Sequence, residues 1–434
     1  MRESTAMTRG QRVAFVTGCR TPFAKAGGFL ADETSLDLAR QVIAELVARA
    51  ELSGGDIDQV VLGTVIPSTA AANVAREAAL AAGLPPEVEA YTVSRACASS
   101  NQAIVSGAES ILSGQTTIVM AGGTESLSNV PILVSKSLSR ALVSLSKAKT
   151  LGKRIAALAP VKLKDLLPVP PRIAEYSTGL SMGESAEKMA KENGISREAQ
   201  DRFALRSHEL AAHATDDGRL PREIVRYYRP PRFEISLAVD DGIRRDTTLE
   251  SLGALRPAFD RRFGSLTAGN SSPLTDGAAA LVLMREDVAR SRGYEPLGYL
   301  RSYAFAGVDP FDQLLLGPAY STPIALDRAG LSLSDITLVD FHEAFAAQVL
   351  SVLQALSSKQ FAREKLNREP LGEIDLERLN VMGGSIAIGH PFGATGARIT
   401  LSLLNELGRR GGGFGLIGVC AAGGLGCSMV VESE

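Results

Sequence analysis

No two of the four cysteines, Cys19, Cys97, Cys420 and Cys427, stand at CxxC spacing, which leaves a zinc ribbon or a thioredoxin-like redox pair without support. Four cysteines in 434 residues are also too few for a disulfide scaffold and suit a reducing compartment. Net charge is nearly absent, at −2, so a general nucleic-acid footprint is missing. The polar start, Met1-Arg2-Glu3-Ser4, lacks the apolar core of a secretory signal, and a cytoplasmic location is expected. The one uncharged stretch approaching transmembrane length, Gly413 to Val431, carries six glycines and reads instead as a buried strand, a turn and a second buried strand. With 45% hydrophobic and 22% charged residues, the remaining composition is that of a soluble globular chain, of two or three domains at roughly 100–200 residues each.

Apolar runs closed by glycine alternate with helical periodicity. Arg12–Gly18, Gln59–Val65, Tyr91–Ser94 and Thr116–Ala121 read as strands, and Leu36–Arg49, Ala72–Ala82 and Ser99–Leu112 as helices. The order recurs later, with strands at Asp335–Phe341, Gly415–Val419 and Cys427–Val431 and helices at Ala344–Leu356 and Gly393–Arg409. Such alternation implies an α/β architecture with crossover connections, here in two related halves. The pattern breaks between Glu125 and Pro257, which reads as an insertion. Within it, Pro131 to Lys164 holds eight Lys/Arg and no Asp or Glu, interleaved with leucines, a pattern that fits an anionic membrane surface, a partner, or a merely solvated basic face.

Five segments carry chemistry. Cys97 lies where a strand meets a helix of small residues, so the helix N-terminus is expected to lower its thiol pKa and to offer N–H groups to an acyl oxygen. His390, in the glycine-rich turn Gly383–Gly396, is kept out of helical geometry by Pro391 and suits proton abstraction from a cysteine. Cys420 leaves a buried strand into a loop of tiny residues, and a thiol there suits protonation of a leaving carbanion. His342 and Glu343 follow the strand Asp335–Phe341 at an expected site edge. The loop Leu266–Ala280 combines hydrogen-bonding groups with little bulk, which suits a slim amide-bearing ligand arm. Each cysteine has an inert packed alternative, which is the expectation for Cys19 and Cys427.

Together these segments resemble the thiolase family over nearly the whole chain. Arg20-Thr21-Pro22-Phe23 matches its opening signature, the Cys97 segment its nucleophile loop, Gly389-His390-Pro391 and Cys420–Gly426 its two C-terminal signatures, and Gly269–Ala280 its coenzyme A loop. The resemblance implies a five-layer αβαβα fold. Its N-terminal half would take residues 11–124 and 258–290, its inserted loop domain 125–257 and its C-terminal half 291–434. It implies that Cys97 is acylated, that His390 activates it, and that Cys420 is the second acid/base. His342 and His390 would form one oxyanion hole, and the backbone N–H groups of Cys97 and Ala422 the other. Ser272, Met182 and Gly183 would contact coenzyme A, which is substrate rather than bound cofactor, and no metal is implied. Many thiolases have Asn at the position of His342 and Gly at those of Ala98 and Ala422. The His-Glu-Ala-Phe form with a long basic insertion is similar to β subunits of trifunctional fatty-acid oxidation complexes. The implied activity is 3-ketoacyl-CoA thiolysis in β-oxidation by a homodimer or homotetramer. A hydratase/dehydrogenase α subunit, or peripheral contact at the inner membrane face through residues 131–164, would accompany it. The alternatives are biosynthetic acetoacetyl-CoA formation, a decarboxylating ketoacyl synthase, and a non-catalytic acyl-CoA-binding subunit.

Overall fold

The computed structural model describes residues 12–169 and 174–434, which form two compact units, one of them Val130–Ala174 and the other the chain on either side of it.

In the larger unit, ten strands share one sheet. Nine run in the order Ile336–Phe341, Gly413–Ala421, Leu425–Ser433, Gly298–Gly307, Val13–Arg20, Thr275–Arg285, Ile118–Glu125, Gln59–Gly63 and Glu89–Val93, and the short Ala24–Lys25 pairs beside Thr275–Arg285. The two halves expected from the sequence are both present. Within the sheet they join where Val13, Ala14 and Phe15 pair with Leu300, Tyr299 and Gly298. Within the N-terminal half Gln59–Gly63 runs parallel to both its neighbours, while Thr275–Arg285 is antiparallel to its own. In the C-terminal half Ile336–Phe341 runs parallel to Gly413–Ala421, and Gly413–Ala421 and Leu425–Ser433 form an unbroken antiparallel hairpin. The uncharged Gly413–Val431 stretch is therefore strand, turn and strand, with three of its glycines on the first strand, two at the turn and Gly426 on the second strand.

Burial explains the layering. Two helices, Ser99–Leu112 and Thr395–Arg409, lie between the halves, and the second is buried on almost every side from Thr395 to Leu407. A core cluster surrounds them that draws on both halves, among them Val61, Val119, Ile399, Leu403, Ile417 and Val419. A second cluster fills the space between the N-terminal strands and the outer helix Ser35–Arg49, and a third that between the C-terminal strands and the outer helices Gly317–Ala329 and Ala346–Ser357. Helix, sheet, helix, sheet, helix is the resulting succession. The outer helix Ser35–Arg49 starts where its sequence says it must. Thr34 accepts from the Asp37 N–H at 3.3 Å, and the Asp37 carboxylate accepts from the Thr34 N–H at 3.1 Å, which satisfies two groups the first turn leaves open. Helices Met182–Glu192 and Arg197–Asp216 belong to this same unit.

The smaller unit holds helices Lys136–Lys147 and Leu151–Leu158 and a short turn at Leu163–Leu166. Ala141 is the one buried residue of the first helix, and the second has none. Leu142, Val143, Leu151, Ile155, Leu163 and Leu167 are exposed among the basic residues. No helix of the described residues is long and apolar enough to cross a membrane.

Candidate active site

Cys97 sits on a sharp turn between the strand Glu89–Val93 and the helix Ser99–Leu112. Ala96 has φ +45°, a left-handed conformation that costs a non-glycine residue energy and has to be held by its surroundings. The Ser99 hydroxyl holds it: Oγ accepts from the Arg95 N–H at 2.8 Å and donates to the Ala96 carbonyl at 2.6 Å. Gly63 lies against this first helical turn so closely that a β-carbon there would stand 2.5 Å from the Ser99 carbonyl carbon.

His390 comes from the loop ahead of the buried helix Thr395–Arg409, and its Nε2 lies 3.2 Å from Cys97 Sγ. Its Nδ1 lies 2.7 Å from Thr395 Oγ1, and that hydroxyl donates to the Pro391 carbonyl at 3.1 Å. With its hydrogen committed to Pro391, Thr395 Oγ1 is left to accept, so the proton of neutral His390 sits on Nδ1. A lone pair then faces the Cys97 thiol. Gly389, at φ +111°, lets the chain turn into this arrangement with Thr275 packed where a β-carbon would be. The carboxyl of Glu125 fastens the far side of the loop, accepting from the N–H groups of Gly393, Val65 and Ile66 and from the Thr64 hydroxyl at 2.9–3.1 Å.

His342 follows the strand Ile336–Phe341, and its ring stacks at a tilt on that of His390 with centroids 4.1 Å apart. Its Nδ1 lies 2.9 Å from Ser385 Oγ, and its Nε2 is buried with no hydrogen-bond partner. Glu343 does not touch either imidazole. Its carboxyl accepts from Ser207 Oγ, Asn380 Nδ2 and the Ile386 N–H at 2.6, 2.8 and 3.2 Å, and so holds the glycine-rich loop to its neighbours. Cys420, at the end of the strand Gly413–Ala421, is buried and close enough to Cys97 that a negative charge on one sulfur disfavours charge on the other.

The electrostatics correct one expectation. Burial, not the helix terminus, dominates at Cys97: lost hydration pushes the thiol up to about 12, against the pull of the nearby Ala422 and Cys97 N–H groups. Burial pushes Cys420 up as well, with the neighbouring Cys97 adding to it. Burial and then the Arg398 charge push His390 down to about 3, and burial, followed by the cost of sharing charge with His390 and by the Arg398 charge, pushes His342 well down. Cys97, Cys420, His342 and His390 are therefore all held uncharged near neutrality. Cys97 is the one cysteine of the four with accessible surface, and Cys19 and Cys427 are packed in the core as expected.

Of the remaining expected residues, Ser272 is half-buried and its N–H donates to the Ala344 carbonyl at 3.0 Å, two residues beyond His342. Beside it opens a cavity of about 190 Å³ whose walls include Lys25, His208, Arg244, Ala268 and Pro273. Met182 and Gly183 begin a helix whose Gly183 lies under the Phe259 ring, 2.0 Å from where a β-carbon would stand, and neither lines that cavity. A ring nitrogen from each of His342 and His390 and the Cys97 sulfur lie within 4.8 Å of one another, the one such group of three among the described residues. Four supporting residues escaped the sequence reading. In the sequence, Thr395 and Ser385 are two more small residues of the glycine-rich segment Gly383–Gly396, Glu125 marks the edge of the insertion, and Arg398 lies in the helix that follows. The detectable signal for Arg398 was a lone charge within an otherwise uncharged, helix-periodic stretch, Thr395–Asn405.

Comparison with known proteins gives the same picture over the full length. Residues 13–287 match the family described as "Thiolase, N-terminal domain", and 294–433 that described as "Thiolase, C-terminal domain". A 3-ketoacyl-CoA thiolase of Yersinia enterocolitica is 53% identical over 427 residues, and one of Photorhabdus laumondii 55%, each alignment covering 98% of both chains. Among solved structures, the acetyl-CoA acetyltransferase of Bacillus anthracis superposes with TM-score 0.82 at 36% identity, covering 98% of this chain and 99% of its own. Human mitochondrial 3-ketoacyl-CoA thiolase superposes with TM-score 0.81 at 32% identity, covering 98% and 100%.

Proposed function

The chain belongs to the thiolase family and is an acyltransferase, and on that premise we propose that it is a 3-ketoacyl-CoA thiolase whose acyl carrier is Cys97. The observation that carries the reading is the contact of Cys97 Sγ with the lone-pair face of His390 at 3.2 Å, with an unpartnered His342 nitrogen beside it. His390 Nε2 takes the Cys97 proton while sulfur bonds to the 3-keto carbon. The bond between the second and third carbons then breaks, its electron pair passes into the acetyl-CoA enolate, and Cys420 protonates that enolate. The Cys420 thiolate next takes the proton of coenzyme A, whose sulfur attacks the acyl-Cys97 thioester. The departing Cys97 sulfur recovers its proton from His390. Two oxyanions develop in succession, and two donor sets are available for them: the imidazoles of His342 and His390, and the N–H groups of Cys97 and Ala422. Removal of one such donor ordinarily costs about 10²–10³ in rate.

Lys25 and Arg244 at the cavity beside Ser272 suit the phosphates of coenzyme A, with Ser272 and its loop along the pantetheine arm. The relatives named 3-ketoacyl-CoA thiolase favour degradative cleavage over acetoacetyl-CoA synthesis. Turnover on 3-ketoacyl-CoA of increasing chain length tests the direction: a strong preference for acetoacetyl-CoA would overturn it. Cys97→Ala is expected to abolish the acyl-enzyme burst. The exposed apolar and basic face of Val130–Ala174 supports docking to an anionic membrane or to a hydratase/dehydrogenase chain. A cytoplasmic homo-oligomer that gathers at the inner membrane face accords with that. Deletion of residues 131–164 with unchanged vesicle binding and co-purification would remove this part.

A further inference from the structure

We propose that Ser385 is a positioning residue that fixes which nitrogen of His342 carries the proton, and so makes His342 a hydrogen-bond donor to the substrate oxygen. The inference rests on the thiolase reading of the site and deepens it. Ser385, His342 and Arg398 are all buried, with at most 1% of their surface exposed. Arg398 donates to Ser385 Oγ at 3.1 Å, which occupies one acceptor position of that hydroxyl. His342 Nδ1, at 2.9 Å, is the hydroxyl's other partner. A guanidinium has no lone pair to offer, so the Ser385 hydrogen has one acceptor within reach, the bare Nδ1 of His342. Were the proton on Nδ1 instead, the hydroxyl hydrogen would be buried without an acceptor and the Nε2 lone pair buried without a donor. The arrangement that leaves least unsatisfied is O–H donating to Nδ1 and N–H at Nε2.

That N–H is the atom without a partner, on a ring one of whose nitrogens lies within 4.8 Å of Cys97 Sγ, beside which the 3-keto oxygen acquires charge. Burial above all, and after it His390 and Arg398, discourages a charged imidazole, so the donor stays neutral. The same tautomer bears on the three-donor cluster of Cys97, His342 and His390. A proton rather than a lone pair points inward from His342, so the cluster offers a cation two donors, not three. The guanidinium thereby acts on the site through a hydroxyl and an imidazole without itself reaching it.

The test uses the full-length enzyme, 15N-labelled at histidine, with Ser385→Ala and Ser385→Thr. In the wild type, the His342 signal, assigned by its loss in His342→Asn, is expected to show protonated Nε2 and unprotonated Nδ1. Ser385→Ala should lose that pattern and lower kcat about tenfold to a hundredfold with KM within about threefold, because the donor acts on the developing oxyanion. Ser385→Thr should restore both. A wild-type signal with the proton on Nδ1, or Ser385→Ala with unaltered tautomer and kcat, overturns the inference. A wild type that thiolyses no 3-ketoacyl-CoA yet shows Nε2–H would overturn the functional reading and leave the tautomer standing.

Discussion

Thr395→Val removes one hydroxyl next to His390 and almost nothing else. The two side chains are close in shape, and position 395 is the first of a buried helix whose backbone does not depend on the hydroxyl. The Pro391 carbonyl keeps its bonds from the Ala394 and Thr395 N–H groups at 2.9 and 3.2 Å. What is lost is the acceptor 2.7 Å from His390 Nδ1. In the productive tautomer Nδ1–H would then be buried without a partner, at about 1–3 kcal/mol. The opposite tautomer, with the proton on Nε2 directed at Cys97, loses no comparable bond and cannot take the thiol proton. At about 1.4 kcal/mol per tenfold, the productive population falls about fivefold to 150-fold. Single-turnover release of acetyl-CoA from a 3-ketoacyl-CoA should slow by that factor, with substrate affinity unchanged and Thr395→Ser within about threefold of wild type. A folded Thr395→Val enzyme that acylates within twofold of the wild-type rate would refute the assignment of His390 as a base oriented by this hydroxyl.

Burial holds the Cys97 thiol at about 12 and His390 at about 3, so neither titrates near neutrality, whereas burial pushes the Glu125 carboxyl that fastens the His390 loop up to about 7; a change in the single-turnover acylation rate between pH 6 and 8 should therefore follow Glu125 and fall below about threefold in Glu125→Gln. His208, whose Nδ1 accepts from the Arg244 N–H at 3.2 Å, is pushed down to about 4 by burial and then by Arg244 and Lys25. The unfolded chain therefore binds a proton there first as pH falls through 6.5, and native stability is lost below that point. Relative to His208→Gln, the wild type should lose about 2 kcal/mol between pH 6.5 and 5 in denaturant titrations, and a pH-independent difference would count against a buried neutral imidazole. Gly384→Ala would place a β-carbon 2.2 Å from the Glu343 carboxyl carbon, whose bonds to Ser207, Asn380 and Ile386 have no slack, so thermal unfolding should show a loss of about 3 kcal/mol or more.

The three residues proposed for the chemistry were legible because each lies where a periodic pattern stops: Cys97 between a strand and a helix, His390 among glycines ahead of a helix, Cys420 between two strands. Most elements follow from the same periodicity, with ends shifted by a residue or two where caps such as Thr34 and Ser358 decide them, but the strand expected at Thr116–Ala121 runs Ile118–Glu125, and Thr275–Ala280, expected as loop, opens the central strand Thr275–Arg285. Thr395, Ser385, Arg398 and Glu125 were illegible for a common physical reason. Ser385 and Glu125 meet partners 43 and 268 residues away, and although His390 is only five residues from Thr395, nothing in local pattern separates a hydroxyl that orients an imidazole from one that back-bonds to its own helix, as Thr400 does with Gly396. The direction of the Cys97 shift failed similarly. A helix terminus can be read from the sequence, but the depth of burial that overrides it is set by the other half of the chain.

Convergence of the halves depends on how closely backbones approach one another, and that is where the glycines matter. Both inner helices begin at the site, Ser99–Leu112 just past the nucleophile and Thr395–Arg409 just past the base. They meet at their first turns, where a β-carbon on Gly396 would stand 1.9 Å from the Asn101 amide oxygen. On the adjacent strand a β-carbon on Gly123 would stand 1.9 Å from the Gly393 carbonyl oxygen. Neither position has positive φ, so glycine is required there by proximity rather than by conformation. Any side chain at either place would drive the His390 loop away from Cys97. A donor and acceptor that meet at 3.2 Å tolerate little of that movement before proton transfer between them fails. The catalytic distance is thus set by residues that have no side chain, and their signal in the sequence is indistinguishable from that of glycines serving turns.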